Sequence, residues 1–452
     1  MHIFVSGAGS GKTTNMAKLL YEVDPIEGKN IYCIAFTHAA VDNITEKVQK
    51  QFGYIPEYLK ISTIHSFLYK ELIDPFHFLL YGQHFQTITD IVLPEKIVLK
   101  NKQISELKTE NCLHQTIIPE VAKWIVAGKS GEKQITKKIR KKILLFFNSY
   151  CQKIVIDEAQ DLDQNMMKIL KILDDNGIQL ELYGDPKQDV KGYNCFRKLI
   201  DSTENIFYNN NCYRSPALHL SLSNRLAKLE EQQISVADNK FGCLELLFES
   251  DIQDMPGVMN GYGLVYISKK NDRFQTHTYN QKNFSSVLRE IEREIDKKWN
   301  KRKTETEIRR YSFYVTEQIF NSCDPKESLN YWINVKKAFD YPGKTVYARL
   351  MNLLKDSKVD ETPNVLCKTI ESIKGLEDEK CLFILTTDLA PYLLGEKVDD
   401  NKTKHLLYVA LTRSLDKLTI FVTKEVERKY YREKIRKSMM LNKAEPLPNS
   451  II

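Results

Sequence analysis

Short apolar runs recur near the start of the chain, and each is followed by a stretch whose spacing suits a helix. The runs His2 to Val5 and Ile31 to Phe36 alternate with Thr13 to Val23 and Ala39 to Phe52, an order that predicts β-α-β-α units and therefore a parallel sheet. From about Leu72 to Tyr150 the pattern turns polar and helical, with a basic cluster from Lys133 to Lys142, until Lys153-Ile154-Val155-Ile156-Asp157 restores the strand signal. This predicts a helical insertion over residues 72–150 in a first lobe made of residues 1–71 and 151–235. Gln179 to Tyr183 adds a strand, and a helix is expected after the turn Tyr213-Arg214-Ser215-Pro216. Beyond it, Gly263 to Ile267, Val365 to Ile370, Cys381 to Thr386 and Leu418 to Val422 read as buried strands of a second α/β lobe over residues 236–452. Asp272 to Arg310 is charged and poor in apolar periodicity, and the pattern assigns it nothing. Neither an internal repeat nor a low-complexity linker interrupts the chain.

The 452 residues exceed one compact core and imply roughly two to four lobes. Hydrophobic residues make up 42% and charged residues 28%, and no run reaches the roughly 18 apolar residues needed to span a bilayer. The sequence Met1-His2-Ile3-Phe4-Val5 runs straight into a Gly-rich stretch with no charged leader, so a cytoplasmic protein without membrane contact is expected. Nine scattered cysteines without a Cys-x-x-Cys pair fit reduced thiols, and fit neither a disulfide framework nor a zinc or iron–sulfur site. The net charge of +7 suits a polyanion, yet it is small beside 66 Lys and Arg against 59 Asp and Glu.

Chemistry concentrates first in Gly7-Ala8-Gly9-Ser10-Gly11-Lys12-Thr13-Thr14. Glycines let successive backbone N–H groups turn toward phosphates, Lys12 reaches the terminal phosphates, and the Thr13 hydroxyl suits Mg²⁺. The helix that follows adds the positive end of its dipole. The strict pattern wants a glycine where Ser6 stands. A second signal is the apolar strand that ends in Asp157-Glu158-Ala159-Gln160-Asp161, where a phosphate-loop enzyme places a Mg²⁺ ligand, here Asp157, and a water-orienting base, here Glu158. Adjacent acids at a strand end are by themselves more often a solvated turn; the phosphate loop is what gives this pair a function.

In its ordered motifs the chain resembles the superfamily 1 DNA helicases of the UvrD, PcrA and Rep kind. Asp157 to Asp161 is similar to one motif of that family, Gly184-Asp185-Pro186-Lys187-Gln188 to the motif whose Gln senses the γ-phosphate, and Asn211-Cys212-Tyr213-Arg214-Ser215 to its Asn-x-Tyr-Arg-Ser element. Thr369-Ile370-Glu371-Ser372-Ile373-Lys374-Gly375-Leu376-Glu377 and Tyr408-Val409-Ala410-Leu411-Thr412-Arg413 resemble two later motifs. The resemblance implies an α/β protein of two RecA-like P-loop NTPase lobes with parallel sheets, with ATP held between them. It makes Arg413, with Arg214 as a second, the cation that completes the site on lobe closure. It also places Tyr213 on the base and Glu377 on the nucleotide or ribose.

The resemblance also implies a nucleic-acid track. Ala35-Phe36-Thr37-His38-Ala39-Ala40 and Ser62-Thr63-Ile64-His65-Ser66-Phe67 resemble two DNA-contacting motifs. Phe36 would stack on a base, Thr37, Thr63 and His65 would meet the backbone, and Tyr193 falls where relatives stack a Trp. Phe36 and Tyr193 as ordinary core aromatics remain the alternative. The family's upstream adenine-reading Gln has no counterpart, and Glu371, Lys191 and Asn194 replace a His, a Tyr and an Arg. The basic runs Lys133 to Lys142 and Lys297 to Lys303 read as solvated helix faces or as phosphate contacts.

About 150 residues separate Arg214 from Thr369, which predicts that the family's large regulatory insertion in the second lobe is absent or very small. That layout resembles the short UvrD-like subunits of bacterial anti-phage systems of the Gabija type, which work beside a nuclease. Two functions follow: an ATP-dependent 3′ to 5′ translocase or helicase on single-stranded or tailed duplex DNA, or a DNA-stimulated regulatory ATPase that activates a partner nuclease with little unwinding of its own. A scaffold without turnover is disfavoured by the full set Lys12, Thr13, Asp157, Glu158, Gln188, Arg214 and Arg413.

Overall fold

Six parallel strands form the first sheet of the computed structural model, which describes residues 1–94, 96–236, 242–270, 273–275, 279–299, 303–322, 324–355 and 365–440. They are β1 (His2–Ser6), β2 (Asn30–Ala35), β3 (Leu59–Thr63), β4 (Cys151–Ile156), β5 (Gln179–Gly184) and β6 (Ile206–Asn209), in the order β3-β2-β4-β5-β1-β6. A parallel sheet is covered on both faces, so its central strands must be apolar throughout. Ile31 to Ala35 and Ile154 to Ile156 are accordingly buried without alternation. The helices Lys12–Tyr21 and His38–Phe52 set Met16, Ala17, Leu20, Ile44 and Val48 against Ile31, Cys33, Ala35, Val155 and Tyr183. The His38–Phe52 helix starts where the Thr37 hydroxyl accepts the Ala40 N–H and stops at Gly53, whose φ of 80° only glycine adopts freely. Because every strand runs the same way, the segments after β1, β4 and β5 meet at one edge.

The second sheet is also wholly parallel: β7 (Cys243–Phe248), β8 (Leu264–Ile267), β9 (Lys368–Thr369), β10 (Asp378–Leu385) and β11 (Ser414–Val422), in the order β7-β11-β10-β8-β9. The fold is therefore α/β with two RecA-like lobes. The helix Lys402–Leu411 is buried at every position from His405 to Leu411. A helix apolar all round must be covered all round, and this one shares a core with β10 and β11 of its own lobe and with Ala8, Val190, Leu222 and Leu226 of the first.

Residues 236–452 do not form one lobe, which corrects the sequence expectation. The chain leaves after β8, and residues 270–367, together with 89–110, make a second compact unit. Its helices Tyr279–Trp299, Glu305–Phe320, Pro325–Asn334 and Gly343–Lys355 enclose a core of Val287, Ile291, Ile295, Val315, Ile319, Leu329 and Leu350. The insertion expected to be absent or very small is thus present. The expected strand Val365 to Ile370 also divides: Val365–Leu366 pairs with Phe274–Gln275, while Lys368–Thr369 is β9. The stretch 72–150 is helical but shared, since Ile97–Thr109 belongs to the second unit and Asp74–Tyr81, Ile118–Ala127 and Gln134–Tyr150 to the first.

In the basic run of the first lobe, Lys137, Lys138, Lys141 and Lys142 face solvent, whereas Arg140 is buried on Glu132 at 2.6 Å. In the second run, residues 300–302 lie outside the described residues, and Lys297, Lys298 and Lys303 pair with Glu294, Asp340 and Glu307. Among the described residues no helix is long and apolar enough to cross a membrane, and the described cysteines are free.

Glu290 is fully buried in the helical unit, and Arg349 answers it at 2.6 Å while also donating to the Val92 carbonyl at 3.1 Å. Removing the cation alone strands a buried carboxylate. Arg349→Leu is expected to destabilise this unit by about 3–5 kcal/mol, and Arg349→Leu with Glu290→Leu to recover most of that loss. Chemical denaturation of the three proteins checks it; equal loss in the single and double variants contradicts the pairing.

Candidate functional site

The phosphate-loop segment leaves β1 with Gly9 and Gly11 in the left-handed region, at φ 68° and 73°. At Gly9 a side chain would also overlap Arg214, so glycine is required there twice over. Gly11 caps the helix Lys12–Tyr21 with no side-chain hydrogen bond, which leaves the first helical N–H groups pointing outward, as an anion site needs. Lys12 Nζ rests on the Ser6 and Gly7 carbonyls at 3.3 and 3.4 Å, and the Ser10 hydroxyl is buried without a partner. Thr14 lies exposed in the first helical turn. Tyr213 donates its backbone N–H to the Gly9 carbonyl at 2.8 Å, and its exposed ring lies beside Gly11.

At the end of β4, Thr13 donates its hydroxyl to Asp157 at 3.0 Å. Burial, then the neighbouring Glu158 charge, pushes the Asp157 carboxyl up to about 6. Glu158 takes the left-handed conformation at φ 57°, uncommon for a residue with a Cβ and costly enough to need support from its surroundings. That support is electrostatic. Burial alone would raise Glu158, but Lys374, followed by Lys12, holds it down to about 2. Lys374 Nζ lies 3.4 Å from Glu158 and 2.8 Å from Asp161, and it comes from the second lobe.

At the end of β5, Asp185 is fully buried, and against that burial Lys187 and then Lys12 hold it down to about 2. Gln188 donates to Asp185 at 3.0 Å and accepts from Arg413 at 3.3 Å, so one side chain joins the two lobes. Arg413 is also fixed by the Val409 carbonyl at 3.0 Å and the Thr412 hydroxyl at 3.2 Å. Burial, then the nearby Arg214 charge, lowers Arg413 to about 10. Arg214 is ion-paired with Glu377. The residues singled out in the sequence, Lys12, Thr13, Asp157, Glu158, Gln188, Arg214, Arg413, Tyr213 and Glu377, therefore gather at one edge, although Glu377 meets Arg214 there. Lys187 and Lys374, to which the sequence assigns no role, lie inside the motif runs and neutralise the acids.

On the same face Lys191 gathers the other candidates. Its ammonium lies 5.7 Å from the Phe36 ring centre and 5.9 Å from that of Tyr193. His65 is lowered by burial and then by Lys191. Tyr193 is 42% exposed and Phe36 half-buried, so neither is a core aromatic. Thr37 and Thr63 cap helices, accepting the N–H of Ala40 at 3.2 Å and of Ser66 at 3.3 Å. Glu371 is answered by Lys402 at 2.6 Å.

Comparison with known proteins agrees with this arrangement. The family described as AAA domain matches residues 1–194, and that described as viral superfamily 1 RNA helicase core domain matches residues 268–422. The ATP-dependent DNA helicase PcrA of Staphylococcus aureus, from several strains, is 28% identical over 194 residues. That stretch is 42% of this chain and 26% of the relative, so the chain spans about a quarter of the relatives it matches. Among solved structures, the Arterivirus nonstructural protein 10 helicase with DNA overlaps 93% of this chain and 60% of its own at 13% identity and a TM-score of 0.36. The PRRSV helicase overlaps 93% and 52% at 10% and 0.36. Overlaps at that score add nothing to the reading.

The Asp157 carboxyl is raised in the fold, so its neutral form is favoured there, and stability falls as pH rises from the ordinary carboxylate range to about 6 and is level above it. Asp157→Asn in metal-free buffer is therefore expected to be more stable than wild type by about 2–3 kcal/mol near pH 8, with the gain gone below about pH 4. Thermal melts across that range check it; a gain independent of pH contradicts it.

Proposed function

We propose that this chain is a superfamily 1 helicase of the UvrD/PcrA-like kind, which hydrolyses ATP with Mg²⁺ and uses the reaction to move 3′ to 5′ along single-stranded DNA, opening tailed duplexes. The observation that carries this is that Lys12 of the phosphate loop and Arg214, which packs on Gly9, share one edge with Arg413, held on Gln188 from the second lobe. Burial and the nearby Arg214 charge lower Arg413, and cations gathered beside open backbone amides suit a polyanion.

The Thr13 hydroxyl and the Asp157 carboxylate, 3.0 Å apart, are hard oxygen donors of the kind Mg²⁺ takes. When bound there, the ion neutralises charge on the terminal phosphates. The chain's own residues do the rest. The amides of Gly9 to Thr13 and the Lys12 ammonium hold the phosphates, and Tyr213 is free to stack on the base. Glu158 orients the water that attacks the terminal phosphorus. Gln188 relays the state of that phosphate to Arg413, whose guanidinium stabilises the charge that develops on the transferring group. Because Arg413 and Lys374 ride on the second lobe, hydrolysis and lobe position are one event.

Phe36, His65, Tyr193 and Lys191 offer aromatic faces with a cation between them, which suits single-stranded bases and their backbone without regard to sequence. Thr37 and Thr63 retain hydroxyl protons for phosphate oxygens. The alternative, a DNA-stimulated regulatory ATPase that activates a partner nuclease with little unwinding of its own, leaned on a second half without room for the family's large regulatory insertion, and the helical unit of residues 270–367 weakens that support. Bacterial DNA processing, or anti-phage defence beside a nuclease subunit, is the setting inferred for this activity.

Turnover of ATP is expected to rise at least about tenfold with single-stranded DNA, and Lys12→Ala to lower it by roughly 100-fold or more. Displacement should require a 3′ tail. Turnover that survives Lys12→Ala contradicts the site. Tyr193→Ala should raise the DNA concentration for half-maximal stimulation by about tenfold, and an unchanged value contradicts the stacking face.

A further inference from the structure

Gly7 belongs to the phosphate loop, yet it does not lie in the left-handed region where Gly9 and Gly11 are found. Its backbone does not demand glycine. What demands it is a neighbour: a side chain at position 7 would overlap the amide group of Gln233. Gln233 is buried to 4% exposure, 226 positions away in sequence, and its own backbone is clamped at two points by Asn224, which accepts its N–H and donates to its carbonyl, both at 2.8 Å. The following residues, Ile234–Ser235, pair in parallel with Asn211–Cys212, just before Tyr213 and Arg214.

The Gln233 side chain closes a ring of three hydrogen bonds. Its Nε2 donates to the Ala8 carbonyl at 3.0 Å, its Oε1 accepts the Tyr408 hydroxyl at 2.9 Å, and the Tyr408 oxygen accepts the Ala8 N–H at 3.4 Å. All three groups are buried, so none has water as a substitute partner. The ring also has one direction only. Reversing the amide would set its oxygen against the Ala8 carbonyl. Tyr408 stands on the second-lobe helix Lys402–Leu411, shortly before Arg413, whose guanidinium lies on Gln188. The helix that carries the arginine therefore also grips the crest of the phosphate loop.

We propose that Gln233 is a positioning residue: it latches the phosphate loop at Ala8 to Tyr408 of the second lobe, so that the loop holds its nucleotide-binding shape only when that helix is in place. This rests on the reading of the loop as an ATP site. With the latch closed, the loop is preorganised for the triphosphate. When the second-lobe helix withdraws, the Ala8 N–H loses the Tyr408 hydroxyl and the Gln233 amide loses the donor that orients it, so the loop relaxes and nucleotide is released. Gln233 touches no phosphate and takes no part in the chemical step.

The test measures ATP affinity by equilibrium binding, with KM and kcat alongside, in the full chain. Gln233→Leu, close in volume but unable to donate or accept, is expected to weaken binding and raise KM by about tenfold while kcat stays within about threefold. Tyr408→Phe, which removes only the hydroxyl, should do the same, and the two together should cost no more than either alone, because each opens the same ring. Gly7→Ala should reproduce the loss by pushing Gln233 aside. In a Gln233→Ala background, where the space is vacant, the same substitution should add less than about twofold.

Additive losses from Gln233→Leu and Tyr408→Phe overturn the latch. So does an equal penalty for Gly7→Ala in both backgrounds, which would tie the glycine to phosphate instead, and so does a fall in kcat at constant KM. A wild-type chain whose nucleotide binding does not depend on Lys12 overturns the ATP reading and the latch with it, and the Lys12→Ala control tells that failure from the others.

Discussion

Charge held out of water between two parallel sheets is the constraint on which the site depends. An ion in a dry interior must be paired or must give up its charge, and this edge holds Lys12, Lys187, Lys374, Arg214 and Arg413 against Asp157, Glu158, Asp161 and Asp185, with the more exposed Glu377 at its rim. The pairs are not confined to one lobe. Lys374 crosses to Glu158 and Asp161, Arg413 to Gln188, and Glu377 to Arg214. Apposition of the lobes is thus a matter of charge balance as much as of apolar burial. In the proposed reaction a triphosphate entering the edge would bring its own anions, compete with Glu377 for Arg214 and lift Lys12 from the Ser6 and Gly7 carbonyls. Changing the occupant changes which pairs hold, and the lobes must follow.

The parts of the site written contiguously were legible in the sequence. The loop from Gly7 to Thr14 and the strand ending at Asp157 each carry their chemistry within a few neighbouring positions, so residue type and order suffice to read them. The first lobe's strands β1, β2, β4 and β5 were legible as apolar runs, whereas β3 and β6, partly exposed and mixed in polarity, were not. The helical unit was not. Val287, Ile291 and Ile295 recur every four residues inside a stretch dominated by charge, and some of that charge, such as Glu290, is itself buried in the helical unit. Val365 to Ile370 looked like one strand because apolar content alone does not say which partner each half will pair with.

Gln233, Lys191 and Lys374 were hidden for a different reason. Each acts through partners far away in the chain, and a lone glutamine or lysine has no pattern of its own. Gln233 also reassigns a residue the sequence placed correctly but for another reason: Gly7 is glycine because a glutamine from elsewhere needs the room. Lys191 does the same for the nucleic-acid face, where separate motifs contributed Phe36, His65 and Tyr193 and only the fold reveals the cation they share.

The central claim is that cations from both lobes act on one terminal phosphate, and Arg413 tests it most directly. Single-turnover hydrolysis of ATP by Arg413→Ala and Arg413→Lys, with nucleotide affinity measured on the same proteins, separates binding from chemistry. The expected result is a fall in the hydrolysis rate of about 1,000-fold or more in Arg413→Ala, with affinity changed only a few-fold and partial recovery at most in Arg413→Lys. Hydrolysis that continues at the wild-type rate without Arg413, or that declines only in proportion to lost binding, contradicts it.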